Sequence, residues 1–103
     1  MTGMEKKIAL LSQLAEEDQE YIRELRRSFH RHPELSFQEF ETTRTLAEEL
    51  RKCPGMEVTT WEGKTGVLGV LHGEKAGKVV ALRADIDALP LEEKSGLPFL
   101  SEQ

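Results

Sequence analysis

The spacing of apolar positions changes character partway along the chain. Between residues 5 and 31, Ile8, Leu11, Leu14 and Ala15, then Tyr21, Ile22, Leu25 and Phe29, recur at helical spacing. A polar run at 16–20 interrupts them, so the stretch is predicted as one helix or as two with a break near 15–18. Pro33 disfavours the α conformation at His32 and should end the helix at Arg31 or His32. A second helix is predicted over 36–52. Phe37, Phe40, Thr43, Leu46, Ala47 and Leu50 form its apolar face, and Glu41, Arg44, Glu48, Glu49 and Arg51 its polar one. Its start carries Ser36-Phe37-Gln38-Glu39, the pattern of a capping box, with Leu35 and Phe40 at staple positions. Pro54-Gly55 stops it.

From Glu57 the residues become β-prone. Strands are predicted at 57–61, 66–72 and 78–84, the third antiparallel to the second. A turn at 62–64 and a hairpin loop at 73–77 connect them. The glycines of the second strand suggest close backbone approach. Residues 85–103 read as a C-terminal loop. The expected fold class is therefore α/β in the order αα-βββ, with Trp61 and the phenylalanines in its core. The third strand, Val79-Val80-Ala81-Leu82, is apolar on both faces, the pattern of a strand buried on both sides. One helical layer covers only one face of a sheet. The pattern thus anticipates an incomplete domain, the N-terminal piece of a larger one.

Composition narrows the classes. The chain has 103 residues, enough for one small domain with a modest core. Its formal charge is −5, with no basic stripe, which argues against a nucleic-acid partner. The single cysteine, Cys53, excludes an internal disulfide framework and a Cys-rich zinc module. Lys6-Lys7 followed by Ile8-Ala9-Leu10-Leu11 is too short for a signal peptide, and no run reaches membrane-spanning length. The expected location is cytoplasmic, with no membrane partner.

The chemistry concentrates at 79–90. A buried strand that ends in carboxylates is how open α/β sheets build sites. Asp85 and Asp87, two apart, share one face of an extended chain. Either both ligate a divalent cation, or one ligates while the other orients a ligand. The plain alternative is a solvated strand end with Arg83 as salt-bridge partner. His30 and His32 do not share a helix face. The simpler reading has His30 at the helix C-terminus and His32 held by the Pro33 turn. His72 ends a strand next to Gly73 and reads as a surface residue, and Cys53 reads as structural. The glycines between 63 and 73 lack the ending of a phosphate loop.

Two stretches together resemble a known family. Arg26-Arg27-x-x-His30-x-His32-Pro33-Glu34-Leu35-Ser36-Phe37-x-Glu39-x-x-Thr42 resembles the N-terminal signature of the M20 metallopeptidases, in their amidohydrolase branch. Leu82-Arg83-Ala84-Asp85-Ile86-Asp87-Ala88-Leu89-Pro90, with Glu93 and Leu97-Pro98-Phe99 beyond it, resembles the next block of that branch. The resemblance runs from about Ile22 to the last residue. It implies a zinc-peptidase-like catalytic domain of which residues 1–103 are the first part, and homodimers formed through a domain absent here. It implies hydrolysis of the amide bond of small N-acyl amino acids, hippurate-like or N-acetylated, with divalent zinc, manganese, cobalt or nickel. By the same resemblance Asp87 orients the metal site. Asp85 stands where other branches carry a ligating histidine, and ligation and a supporting role both remain open for it. The family's main ligands and general base have no counterpart in this chain, so it is expected to be inactive alone and not to hold metal stably. The competing reading is a non-catalytic module that binds a partner through its unpaired sheet edge.

Overall fold

A computed structural model describes residues 2–91, 93, 97, 101 and 102. Its elements are α1 (Gly3–Glu17), α2 (Gln19–Arg31), α3 (Phe40–Arg51), β1 (Met56–Thr59) and β2 (Leu68–Leu71). The first predicted helix is thus two helices, broken at Asp18. Thr2 starts α1 with a complete capping box: its hydroxyl accepts from the Glu5 N–H at 3.1 Å, and its own N–H donates to the Glu5 carboxylate at 3.0 Å. α2 ends at Arg31, one residue before the His32 that Pro33 constrains.

α3 begins later than its pattern suggests, and the Ser36–Glu39 capping box does not form. The Gln38 N–H donates to the Leu35 carbonyl at 2.9 Å, closing a turn in which Phe37 takes φ 65°. That turn separates Ser36 from the helix, and Glu39 becomes the residue before it, with no capping bond from its side chain. Gly55, at φ 78°, reverses the chain after α3 and delivers it into β1.

β1 and β2 pair antiparallel, with Met56 opposite Leu71 and Thr59 opposite Leu68. α3 lies against this hairpin. The approach needs glycine at 69, where a Cβ would sit 3.1 Å from Met56 Sδ and 3.2 Å from Leu50 Cδ1. Ala47 is the buried apolar residue at the centre of α3, 2% exposed. Two hydrogen bonds clamp the helix to the 65–66 loop. The Gly66 N–H donates to the Thr43 hydroxyl at 2.9 Å, and the Thr65 hydroxyl donates to the Glu39 carboxylate at 3.4 Å.

The third strand is a correction. Residues 78–84 form neither strand nor helix, and Val79, Val80 and Leu82 are 94%, 85% and 97% exposed. Alternation and branching describe what a strand would bury, but a strand also needs a hydrogen-bonding neighbour. Among the described residues none lies beside this one. The order is accordingly three helices and then a two-stranded hairpin, still α/β. Trp61 (48% exposed), Phe37 (86%) and Phe40 (52%) are likewise not core, because no layer among the described residues covers them. The described part of 85–102 holds no helix or strand. The remaining residues of the expected loop, with Pro98 and Phe99 of the second motif, lie outside the described set.

Candidate functional site

Residues 84–91 run alongside the loop that joins α2 to α3. The contact is specific: the Ala88 N–H donates to the Glu34 carbonyl at 2.8 Å. The two motifs singled out in the sequence therefore meet, one residue after Asp87. Beside this junction lies a groove of about 560 Å³, lined by Arg26, Phe29 and His30 of α2, by Leu46 of α3, and by Asp85, Asp87 and Glu93. Its lining is largely apolar and includes side chains of both charge signs, the usual make-up of a small-molecule site.

The structure brings Asp85 and Asp87 to the same groove and gives them different surroundings. The Arg83 guanidinium donates to Asp85 Oδ1 at 3.0 Å, with both side chains largely in solvent. This is the solvated pair of the plain alternative, and an exposed pair of this kind contributes little to stability. Asp87 is exposed and has no hydrogen-bond partner among the described residues.

The two histidines part company, as their spacing requires. His30 Nε2 lies 2.7 Å from Glu93 Oε2, and the same carboxylate oxygen accepts the Ser101 N–H at 2.7 Å. His32 Nδ1 lies 3.5 Å from Glu102 Oε2, while the Glu102 N–H caps the Arg31 carbonyl at the end of α2. Glu93, Ser101 and Glu102 therefore gather at the C-terminal end of α2. His72 faces Glu57 across the hairpin at 2.9 Å, and Cys53 is exposed and unbonded to another cysteine.

Two features had no role in the sequence reading. One is the His30–Glu93 pair, whose members belong to different motifs and meet only in space. The other is Glu34. Its Oε1 accepts from the Thr42 N–H and the Thr42 hydroxyl, each at 2.6 Å, and its Oε2 accepts from the Glu41 N–H at 3.2 Å. Burial pushes this carboxyl up, but the hydroxyl bond from Thr42 and the two main-chain bonds together outweigh it and hold it below the usual glutamate range.

The described residues do not by themselves suit a metal centre. Among them no three His, Cys, Asp or Glu side chains converge as ligands would, whereas a zinc site takes three or four. Nor is any of their helices long and apolar enough to cross a membrane.

Relatives of known name identify the lineage. Over 87 residues the chain is 48% identical to Thermostable carboxypeptidase 1 of Saccharolobus solfataricus, a match over 84% of this chain and 22% of that protein. Over 78 residues it is 49% identical to N-acetyl-L-cysteine deacetylase of Bacillus subtilis, covering 76% of this chain and 18% of the relative. Over 81 residues it is 46% identical to N-acetyldiaminopimelate deacetylase of Halalkalibacterium halodurans, covering 77% and 21%. These relatives are of the M20 amidohydrolase family, and the chain is similar to them over three quarters or more of its own length. It spans about a fifth of the length of the curated relatives it matches. No family model and no solved structure matches it. M20 hydrolases generally use divalent metals. The ligand set of such an ion would need side chains other than those the described residues bring together.

Proposed function

We propose that this chain is part of the catalytic domain of an M20 amidohydrolase that cleaves the amide bond of N-acyl amino acids. The observation that carries this is the meeting of the two signature stretches at the Ala88–Glu34 hydrogen bond, in a sequence 46–49% identical to deacetylases of N-acetylated amino acids. In this reading the groove beside Asp87 is one wall of the site. Phe29 and Leu46 supply its apolar surface, and Arg26, at the groove, is the cation suited to the carboxylate of an N-acyl amino acid. Asp87 is the orienting carboxylate. Asp85, already engaged by Arg83, supports the segment that carries Asp87.

The test uses a protein extended to the length of the relatives. Asp87→Ala should lower metal content and hydrolysis of N-acetyl amino acids by about 10- to 100-fold, with far-UV circular dichroism unchanged. Unchanged turnover and metal content would remove Asp87 from the role. The 103-residue chain, assayed beside it, should show no hydrolysis. A second reading, a non-catalytic module that binds through an unpaired edge, draws on the exposure of Val79, Val80 and Leu82. Hydrolysis by the extended protein decides against it.

A further inference from the structure

We propose that Glu34 is a positioning residue, whose carbonyl fixes the peptide that follows Asp87 while its carboxylate is locked to the first turn of α3. This deepens the function proposed above and rests on it for the identity of the reaction.

The geometry begins at the helix start. The first N–H groups of a helix have no partner within it and form the positive end of its dipole. Glu39, the residue before α3, leaves them uncapped by its side chain. Glu34 takes two of them, at Glu41 and Thr42, and adds the Thr42 hydroxyl. Hydrogen bonds to an ionised acceptor are about twice as strong as neutral ones. The Glu34 side chain is thus held to a helix that is itself anchored through buried Thr42, Thr43 and Ala47.

The carbonyl of the same residue accepts the Ala88 N–H at 2.8 Å. Among the described residues this is the one main-chain hydrogen bond that ties 78–88 to another part of the chain. Nothing else there resembles a sheet ladder, and 79–82 is exposed throughout. The placement of Asp87 is therefore set at Ala88, and through Glu34 it is referred to α3. Pro33, which locks its own φ, stiffens the approach from the other side. A glutamate that only capped α3 would have no such reach.

The experiment is amide hydrogen exchange on the full 103-residue chain, read by NMR. In Glu34→Ala the Ala88 N–H should exchange faster by about tenfold or more, together with Glu41 and Thr42, while the Ala47 N–H, in the middle of α3, keeps its rate. Glu34→Gln retains an oxygen for Thr42 and should return Ala88 to within about threefold of the parent. Acceleration at Glu41 and Thr42 with Ala88 unchanged would overturn the proposal, as would a Gln variant no better than Ala. If Glu34→Ala also releases Ala47, the fold itself has loosened and Thr42→Val takes its place, removing only the hydroxyl donor. Faster Ala88 exchange then supports the proposal, and an unchanged rate overturns it. None of these readouts needs metal or turnover, so failure here and failure of the Asp87→Ala assay are distinguishable.

Discussion

The starts of α1 and α3 invert what their sequences suggest. α1 has both bonds of its capping box and an acidic first turn, yet it buries no residue. Leu11 in its middle is 65% exposed. α3 lacks a side-chain cap from the residue before it, yet it buries Thr42, Thr43 and Ala47 and carries the hairpin. A local cap fixes where a helix begins. It does not supply anything for the helix to pack on, and packing provides most helical stability in a protein. α3 obtains its cap from Glu34, across an intervening turn, and that same residue reaches the Asp87 peptide. The helix that depends on distant contacts is the one that organises the site.

The contrast is broken most forcefully in the interior. Ala47 is 2% exposed, so a larger side chain there has to displace packed neighbours. Ala47→Leu should cost about 1–3 kcal/mol, read as a lowered urea midpoint. Leu11→Ser on α1 should stay within about 0.5 kcal/mol. Equal losses at the two positions would show that α1 is packed as firmly as α3.

A smaller effect tests the distant cap. Glu34→Ala should cost about 1 kcal/mol, the usual value for a lost helix cap. The same carboxylate gives the loss a pH signature. Its folded pKa is lowered: burial raises it, but the bonds from Thr42 and Glu41 outweigh that. The unfolded chain therefore binds the proton more readily. The stabilisation is fully present above the ordinary glutamate pKa, and it is lost as pH falls from there through the lowered folded value. Urea midpoints of the parent should fall over that acid range more steeply than those of Glu34→Gln. Parallel curves would mean that the carboxylate is not held by α3.

Much of this was legible in the sequence, and the residues show where legibility stops. Helical spacing marks all three helices, and Gly69 sits where the glycines signalled close approach. The two motifs resemble the family to which the matched relatives belong. Glu34 was invisible because its partners, Glu41 and Thr42, fall outside the spacing of a capping box, and only the turn with Phe37 at φ 65° brings them within reach. The pairing of His30 with Glu93 joins residues 63 positions apart, which no local period encodes. The strand expected at 78–84 failed for the converse reason. Its pattern records which faces a strand would bury, while strand formation needs a neighbour's main chain, and the described residues provide none.

The smallest predicted effects separate the two capping boxes, the one that forms and the one that does not. By pattern, Ser36 and Glu39 should cap α3, and Ser36→Ala should then cost a cap's worth of stability. In the structure the Glu41 and Thr42 N–H groups already belong to Glu34, and Ser36 sits in the Leu35–Gln38 turn. Ser36→Ala should therefore stay within about 0.5 kcal/mol. Thr2→Ala removes a cap that does form and should cost α1 about 0.5–1 kcal/mol. Because α1 buries nothing, that loss should appear as fraying, seen in faster exchange of the Glu5 N–H and reduced helical ellipticity. The cooperative urea midpoint, set by α3 and the hairpin, should hardly move. A shifted midpoint in Thr2→Ala would mean that α1 shares the unfolding unit of α3, and the division between the two helices would have to be redrawn.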